Sequence, residues 1–162
     1  ITESSTYLYS LITNDPYGIT MLRQQLDSSY QNAKYYIAGK LQEDLFLQNP
    51  ADVYFIYSPV LEDILVCKNN RFSLTRSQLG EVLSDPELLD DFKRWKLYFY
   101  DGLQWLIRAS ATNNLYVGSM ICVDDILDRI RKNLPYENVR ITASQEAQCS
   151  GADKRTILVS AG

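Results

Sequence analysis

Between Ile19 and Leu45 the apolar residues recur at helical spacing. The line runs Ile19, Leu22, Leu26, Tyr30, Ala33, Ile37, Leu41, Leu45, with steps of 3, 4, 4, 3, 4, 4 and 4. That spacing follows the 3.6-residue period and predicts one long amphipathic helix with a single buried stripe. Asn49-Pro50 closes it, because the residue before proline disfavours the helical conformation. The period then changes at once. Asp52-Val-Tyr-Phe-Ile-Tyr57 is β-branched and aromatic and predicts a strand.

Before the helix, Thr2 to Asn14 is a short helical piece, and Asn14-Asp-Pro-Tyr-Gly18 is a turn or linker signal. After it, Ser58-Pro59 turns the chain into a second strand, Ile64–Cys67, and Arg71–Leu74 is a candidate third. Thr75 to Phe92 is polar and broken. It predicts two short helices, the first capped by Thr75 or Ser77, the second opened by Ser84 or Asp85 ahead of Pro86. This segment is expected to cross over the sheet. Trp95–Tyr100 is a strand, Asp101-Gly102 a hairpin turn, and Leu103–Ala109 the returning strand. Thr112-Asn-Asn114 turns again, and Leu115–Val123 is so continuously apolar that it is expected to be central, buried on both sides. Asp124 is the expected cap of a last amphipathic helix with Ile126, Leu127 and Ile130 inward, stopped by Leu134-Pro135. Val139–Ala143 and Thr156–Ser160 are two more strands. Antiparallel strands with segregated helices define an α+β domain.

Several function classes are excluded or weakened by composition. There is no histidine among the 162 residues. Ser-His-Asp and Cys-His nucleophile systems are therefore absent, as is the commonest zinc ligand. No phosphate-cradling glycine motif is present. The acidic pairs Glu62-Asp63, Asp90-Asp91 and Asp124-Asp125 are sequence neighbours whose side chains diverge, so none makes an acid–base pair alone. Sixteen basic residues against twenty acidic ones give a net charge of -4 with no basic stripe, which argues against nucleic acid. No metal and no cofactor is expected. Cys67, Cys122 and Cys149 form no CxxC pair; burial of the first two as small hydrophobes is one reading, and a Cys67–Cys122 bridge between neighbouring extracellular strands is the other. No apolar run reaches the roughly 20 residues of a membrane span. The chain starts at Ile1, not at methionine, and both ends are expected to be boundaries within a longer protein.

The unit from Gly102-Leu-Gln-Trp-Leu-Ile-Arg-Ala, through the turn Asn113-Asn114, to Leu115-Tyr-Val-Gly-Ser-Met-Ile-Cys-Val-Asp-Asp-Ile-Leu resembles an extracytoplasmic Cache domain. The strand Pro50-Ala-Asp-Val-Tyr-Phe-Ile-Tyr fits the same pattern. Cache domains are PAS-like sensors, found in membrane-bound histidine kinases and AraC-type regulators of Gram-positive bacteria. The resemblance covers residues 18–134. It implies an α+β fold in which the long N-terminal helix packs on a PAS/Cache-like antiparallel sheet. Residues 1–17 would be a helical lead-in, 18–134 the sensor domain, and 135–162 C-terminal strands that begin a further small sheet.

The resemblance also implies a function. The segment would be a non-enzymatic, extracytoplasmic ligand-sensing domain of a two-component sensor histidine kinase, held by flanking membrane spans. The long helix would be continuous with the first of them. The alternatives are the sensor region of an AraC-type transcription regulator, or an NTF2-like interaction domain of secretion-system assembly. The partner would be a small molecule or an extracellular protein, with a homodimer through the N-terminal helix as a further possibility. In such domains the pocket lies on the central sheet beneath the crossover. Tyr98, Tyr100, Arg108 and Tyr116 are the candidate ligand-binding residues, Arg108 offering a bidentate partner for a carboxylate. The competing reading leaves Arg108 reaching solvent beside Gln104 and Ser110. Tyr35 and Tyr36 straddle the apolar line of the long helix and serve either the core or a partner surface.

Overall fold

A computed structural model describes residues 2–47, 51–69, 76–84, 95–100, 102–133, 139–145 and 155–161. The candidate strand Arg71–Leu74, the second crossover helix, Asp90-Asp91 and Cys149 fall outside those residues. The elements are α1 (Thr2–Asn14), α2 (Pro16–Leu22), α3 (Ser28–Leu47), β1 (Val53–Ser58), β2 (Asp63–Lys68), α4 (Arg76–Leu83), β3 (Lys96–Tyr100), β4 (Leu103–Thr112), β5 (Leu115–Cys122), α5 (Val123–Asn133), β6 (Val139–Gln145) and β7 (Arg155–Ala161). The fold is α+β, with an antiparallel sheet in the order β2-β1-β5-β4-β3. β5 is the middle strand, as its unbroken apolar sequence predicts; Leu115 and Val117–Cys122 are all buried.

The chain divides into two compact units, Ile1–Trp95 with Ile107–Ile121, and Lys96–Leu106 with Cys122–Gly162. In the first, α1, α2 and α3 pack on one face of β2, β1 and β5. Tyr30, Ala33, Ile37, Leu41 and Leu45 of α3 meet Tyr54 and Ile56 of β1, Leu65 and Cys67 of β2, and Leu115 and Val117 of β5. Leu8, Leu11 and Ile12 of α1 join the same core, so residues 1–17 are built into this unit. The opposite face is only partly closed, with Tyr57, Val66 and Tyr116 half-buried. Val53 and Phe55 of β1 are buried there, and Val82 and Leu83 of α4 are also buried. In the second unit α5 lies against β6, and β6 pairs with β7 as a separate two-stranded sheet in the register Val139↔Ala161 to Gln145↔Arg155.

The single long helix read from Ile19 onward is broken. Asp15 caps α2 by accepting the Tyr17 N–H at 2.8 Å, with Pro16 in the first turn, so Asn14–Gly18 is a helix start and not a linker. The chain leaves the helix at Arg23. Gln24 takes the left-handed conformation (φ 49°), and Asp27 starts α3 anew by accepting the Tyr30 N–H at 2.9 Å. The break is held by the sheet. The Gln24 amide donates to the Asn113 carbonyl (2.5 Å) and accepts from the Ser58 hydroxyl (2.6 Å). Ile19 and Leu26 are consequently 40% and 66% exposed, although they lie on the periodic line. Helical spacing there is coincidental, because two capping aspartates and the Gln24 anchor outweigh it.

Two further expectations change. Helix α5 begins at Val123, so Asp124 and Asp125 occupy its first turn while Cys122 sits at the cap position. Cys67 and Cys122 are both buried thiols. β1 lies between β2 and β5, so the strands carrying them are not neighbours and the proposed bridge has no basis.

Candidate functional site

Tyr57 of β1 and Tyr116 of β5 are direct cross-strand partners, and their rings stack with centroids 6.2 Å apart. Both are half-buried. They stand on the face of Phe55 and Gly118, away from α1–α3. A Cβ at Gly118 would collide with the Phe55 ring and lie 2.5 Å from the Arg108 carbonyl oxygen. Glycine is needed here for space, and the face around it is filled.

Arg108 does not join Tyr116. β4 ends at Thr112 and β5 begins at Leu115, with Asn113 and Asn114 both left-handed (φ 49° and 61°). This two-residue turn sets Thr112 opposite Leu115. Counting back places Arg108 opposite Ser119, and Ser119 is itself paired with Tyr54. Arg108 therefore projects to the Tyr54 side of the sheet and Tyr116 to the Tyr57 side. The Arg108 guanidinium lies over the Trp95 ring at 6.0 Å from its centroid, a cation–π contact. Tyr98 and Tyr100 lie on β3, in the second unit. The carboxylate clamp imagined around Arg108 is thus not assembled with Tyr116. Adjacent strands were the right inference, but register decides which faces meet.

A cluster that sequence reasoning missed joins α3 to the start of β2. The Lys34 ammonium contacts both Asp63 carboxylate oxygens (2.5 and 2.6 Å), and the Tyr30 hydroxyl donates to Asp63 at 3.1 Å. The ion pair is mostly buried, its side chains 14% and 22% exposed. Burial, then the neighbouring Asp63 charge, pushes the Tyr30 phenol well above its ordinary range. One turn before the end of α3, Asp44 accepts from the Tyr54 hydroxyl at 2.6 Å. These bonds fasten α3 to the sheet. Burial also pushes the Cys67 thiol up to about 11, and its sulfur contacts the Ala38 carbonyl at 3.6 Å. At Cys122 burial raises the thiol, while the backbone N–H groups of Asp125 and Asp124 act the other way. Neither sulfur is an activated nucleophile. Among the described residues no group of three or more Cys, Asp or Glu side chains is placed to hold a metal ion.

An open cavity of the first unit lies on the outer side of α2 and α3 and measures about 550 Å³. Tyr17 of α2 stacks on Tyr36 of α3 (centroids 4.1 Å apart, 25° between planes). Tyr35 is 85% exposed at its edge. Gly39 forms a bare stretch of floor, and Asn32, Lys40 and Glu43 supply the polar groups. The Lys40 ammonium lies 5.8 Å from the Tyr36 centroid and 4.0 Å from a Glu43 oxygen. The paired tyrosines at 35 and 36 were visible in the sequence; the meeting with Tyr17 depends on the break between α2 and α3.

No family model and no curated protein matches the chain. Among solved structures, the periplasmic domain of Vibrio cholerae LuxQ is similar, with a TM-score of 0.44 and 19% identity over 89% of this chain and 75% of that one. Among the described residues no helix is long and apolar enough to cross a membrane.

Proposed function

We propose that this chain is the extracytoplasmic sensor domain of a membrane-anchored signalling protein, most simply a two-component histidine kinase. The observation that carries the reading is the sheet order β2-β1-β5-β4-β3. It makes the Tyr116-Val-Gly118 strand, on which the Cache resemblance rests, the centre of the sheet. An AraC-type output fits the same sensor. The reading takes the segment as a binding module; it is supported by the lack of histidine-dependent nucleophile systems in the composition and by the engagement of Asp63 with Lys34 and Tyr30.

A sensor works only if its ligand binds two states with different affinity. α3 is suited to report such a difference, because its ties to the sheet, Lys34–Asp63 and Tyr54–Asp44, lie in its first half and its last turn. A shift of the sheet would be passed to α3, and from there through the Gln24 break to α2 and α1. The N-terminal route is therefore segmented and not one continuous rod.

A thermal-shift screen with amino acids, carboxylates and sugars tests ligand binding. A ligand at 100 times its dissociation constant is expected to add about 2.7 kcal/mol to stability. If no compound raises the melting temperature, the small-molecule form of the reading fails and an extracellular protein partner takes its place. Protease treatment of intact cells tests the location. Cleavage of this segment without permeabilisation is expected, and protection would overturn the extracytoplasmic assignment.

A further inference from the structure

The groove formed by α2 and α3 has features that the fold itself does not require. Gly39 lies inside a 20-residue helix, where glycine is less favourable than alanine because it loses more backbone freedom on folding. No atom lies within 4 Å of where its Cβ would be. Neither crowding nor backbone conformation therefore calls for glycine at this position, in contrast to Gly118. What the missing side chain does provide is open backbone between Tyr35, Tyr36 and Lys40. Tyr35 itself is exposed on a surface where a polar residue would cost nothing.

The chemistry of the lining narrows what fits. Tyr17 and Tyr35 offer flat apolar ring surfaces, 43% and 85% exposed. Asn32 can both donate and accept; Lys40 donates and Glu43 accepts. Among the lining residues one positive and one negative charge balance, Lys40 against Glu43, so the lining itself selects neither an anion nor a cation. The cation seat beside Tyr36 is already taken by Lys40. A ligand matched to these features is neutral, has a ring with one C–H-rich face, and carries hydroxyls around its rim. That description is of a pyranose.

We propose that the Tyr17–Tyr35–Gly39 groove binds a neutral saccharide, its C–H face against tyrosine and its hydroxyls on Asn32, Lys40 and Glu43. The inference rests on the groove alone and goes beyond the sensor reading. A bound sugar that evokes no signal would leave it standing, and a sensor that takes another ligand elsewhere would not rescue it.

The test is saturation-transfer NMR and calorimetry on the whole chain with glucose, galactose, mannose, N-acetylglucosamine and their neutral disaccharides, beside glucuronate and glucosamine as charged controls. At least one neutral sugar is expected to bind. Tyr35→Ala should weaken it by about tenfold or more, equivalent to about 1.4 kcal/mol. Gly39→Leu, which fills the floor without touching the core, should abolish binding while the melting temperature stays at or above that of the parent. Absence of binding by every neutral sugar overturns the proposal. So does binding that survives both substitutions, or a preference for the charged sugars. A concentration-dependent dimer dispersed by Tyr35→Ala, with no sugar bound, would assign the groove to a second copy of the chain and equally overturn it.

Discussion

The two sides of α3 obey opposite rules. Its inner side, Tyr30, Ala33, Ile37, Leu41 and Leu45, is essentially closed to water and fastened to the sheet by Asp63 and Asp44. Its outer side carries exposed Tyr35 and Phe46 and an open glycine. One helix thus carries a closely packed surface and an open one. Packing explains the first completely. It explains nothing of the second, and residues that the fold does not require are where a binding role is best sought.

The contrast can be broken first at Leu41, which is fully buried. Leu41→Ala should destabilise the chain by about 2–5 kcal/mol, the lost transfer energy plus the cavity left behind; chemical denaturation measures it. A loss below 1 kcal/mol would mean that the inner side is not the core described above.

Alkali should attack the same side. Cys67 and Tyr30 hold their protons to higher pH when folded than when unfolded, where their ordinary values are 9.0 and 10.0. The unfolded chain therefore ionises first. Stability is full below pH 9.0 and falls as pH rises from there to about 11 for the thiol, with Tyr30 adding its own loss above pH 10.0. The thiol's share is about 2–3 kcal/mol at most. Melting curves across this range should show the decline, and Cys67→Ala should flatten its first part.

The glycines sharpen the comparison. Gly118→Ala forces a methyl group against Phe55 and the Arg108 carbonyl and should cost about 1–3 kcal/mol through overpacking. Gly39→Ala, in open space on the outer side, should do the reverse and stabilise by about 0.5–1 kcal/mol by restricting the unfolded chain. Paired thermal melts of the two variants read both signs. If Gly39→Ala also destabilised, the floor of the groove would be part of the packing after all.

Much of the fold was legible because its signals are local. The 3.6-residue line from Tyr30 to Leu45, the β-branched run at Val53, the Asn113-Asn114 turn and the unbroken apolar stretch of β5 each state their own structure within a dozen residues. Where two local signals competed, reading by period alone went astray. Ile19 and Leu26 kept the helical spacing, yet Asp15 and Asp27 cap separate helices, and the Gln24 side chain reaches Ser58 and Asn113, residues 34 and 89 positions away. The candidate site was less legible than the fold. Arg108 and Tyr116 are on adjacent strands as expected, but they face apart, because a shift of one residue in register reverses every side chain.

By itself, then, the sequence determined the α+β class, the central place of β5, the buried stripe of α3 and the lack of histidine chemistry. Each follows from residue type or short-range periodicity. Tertiary structure alone decided where the long helix breaks, which side of the sheet Arg108 takes, that Lys34 finds Asp63, and that Tyr17 closes a groove beside Tyr36. These depend on contacts between residues distant in sequence, and no local pattern encodes which partner the folded chain will bring.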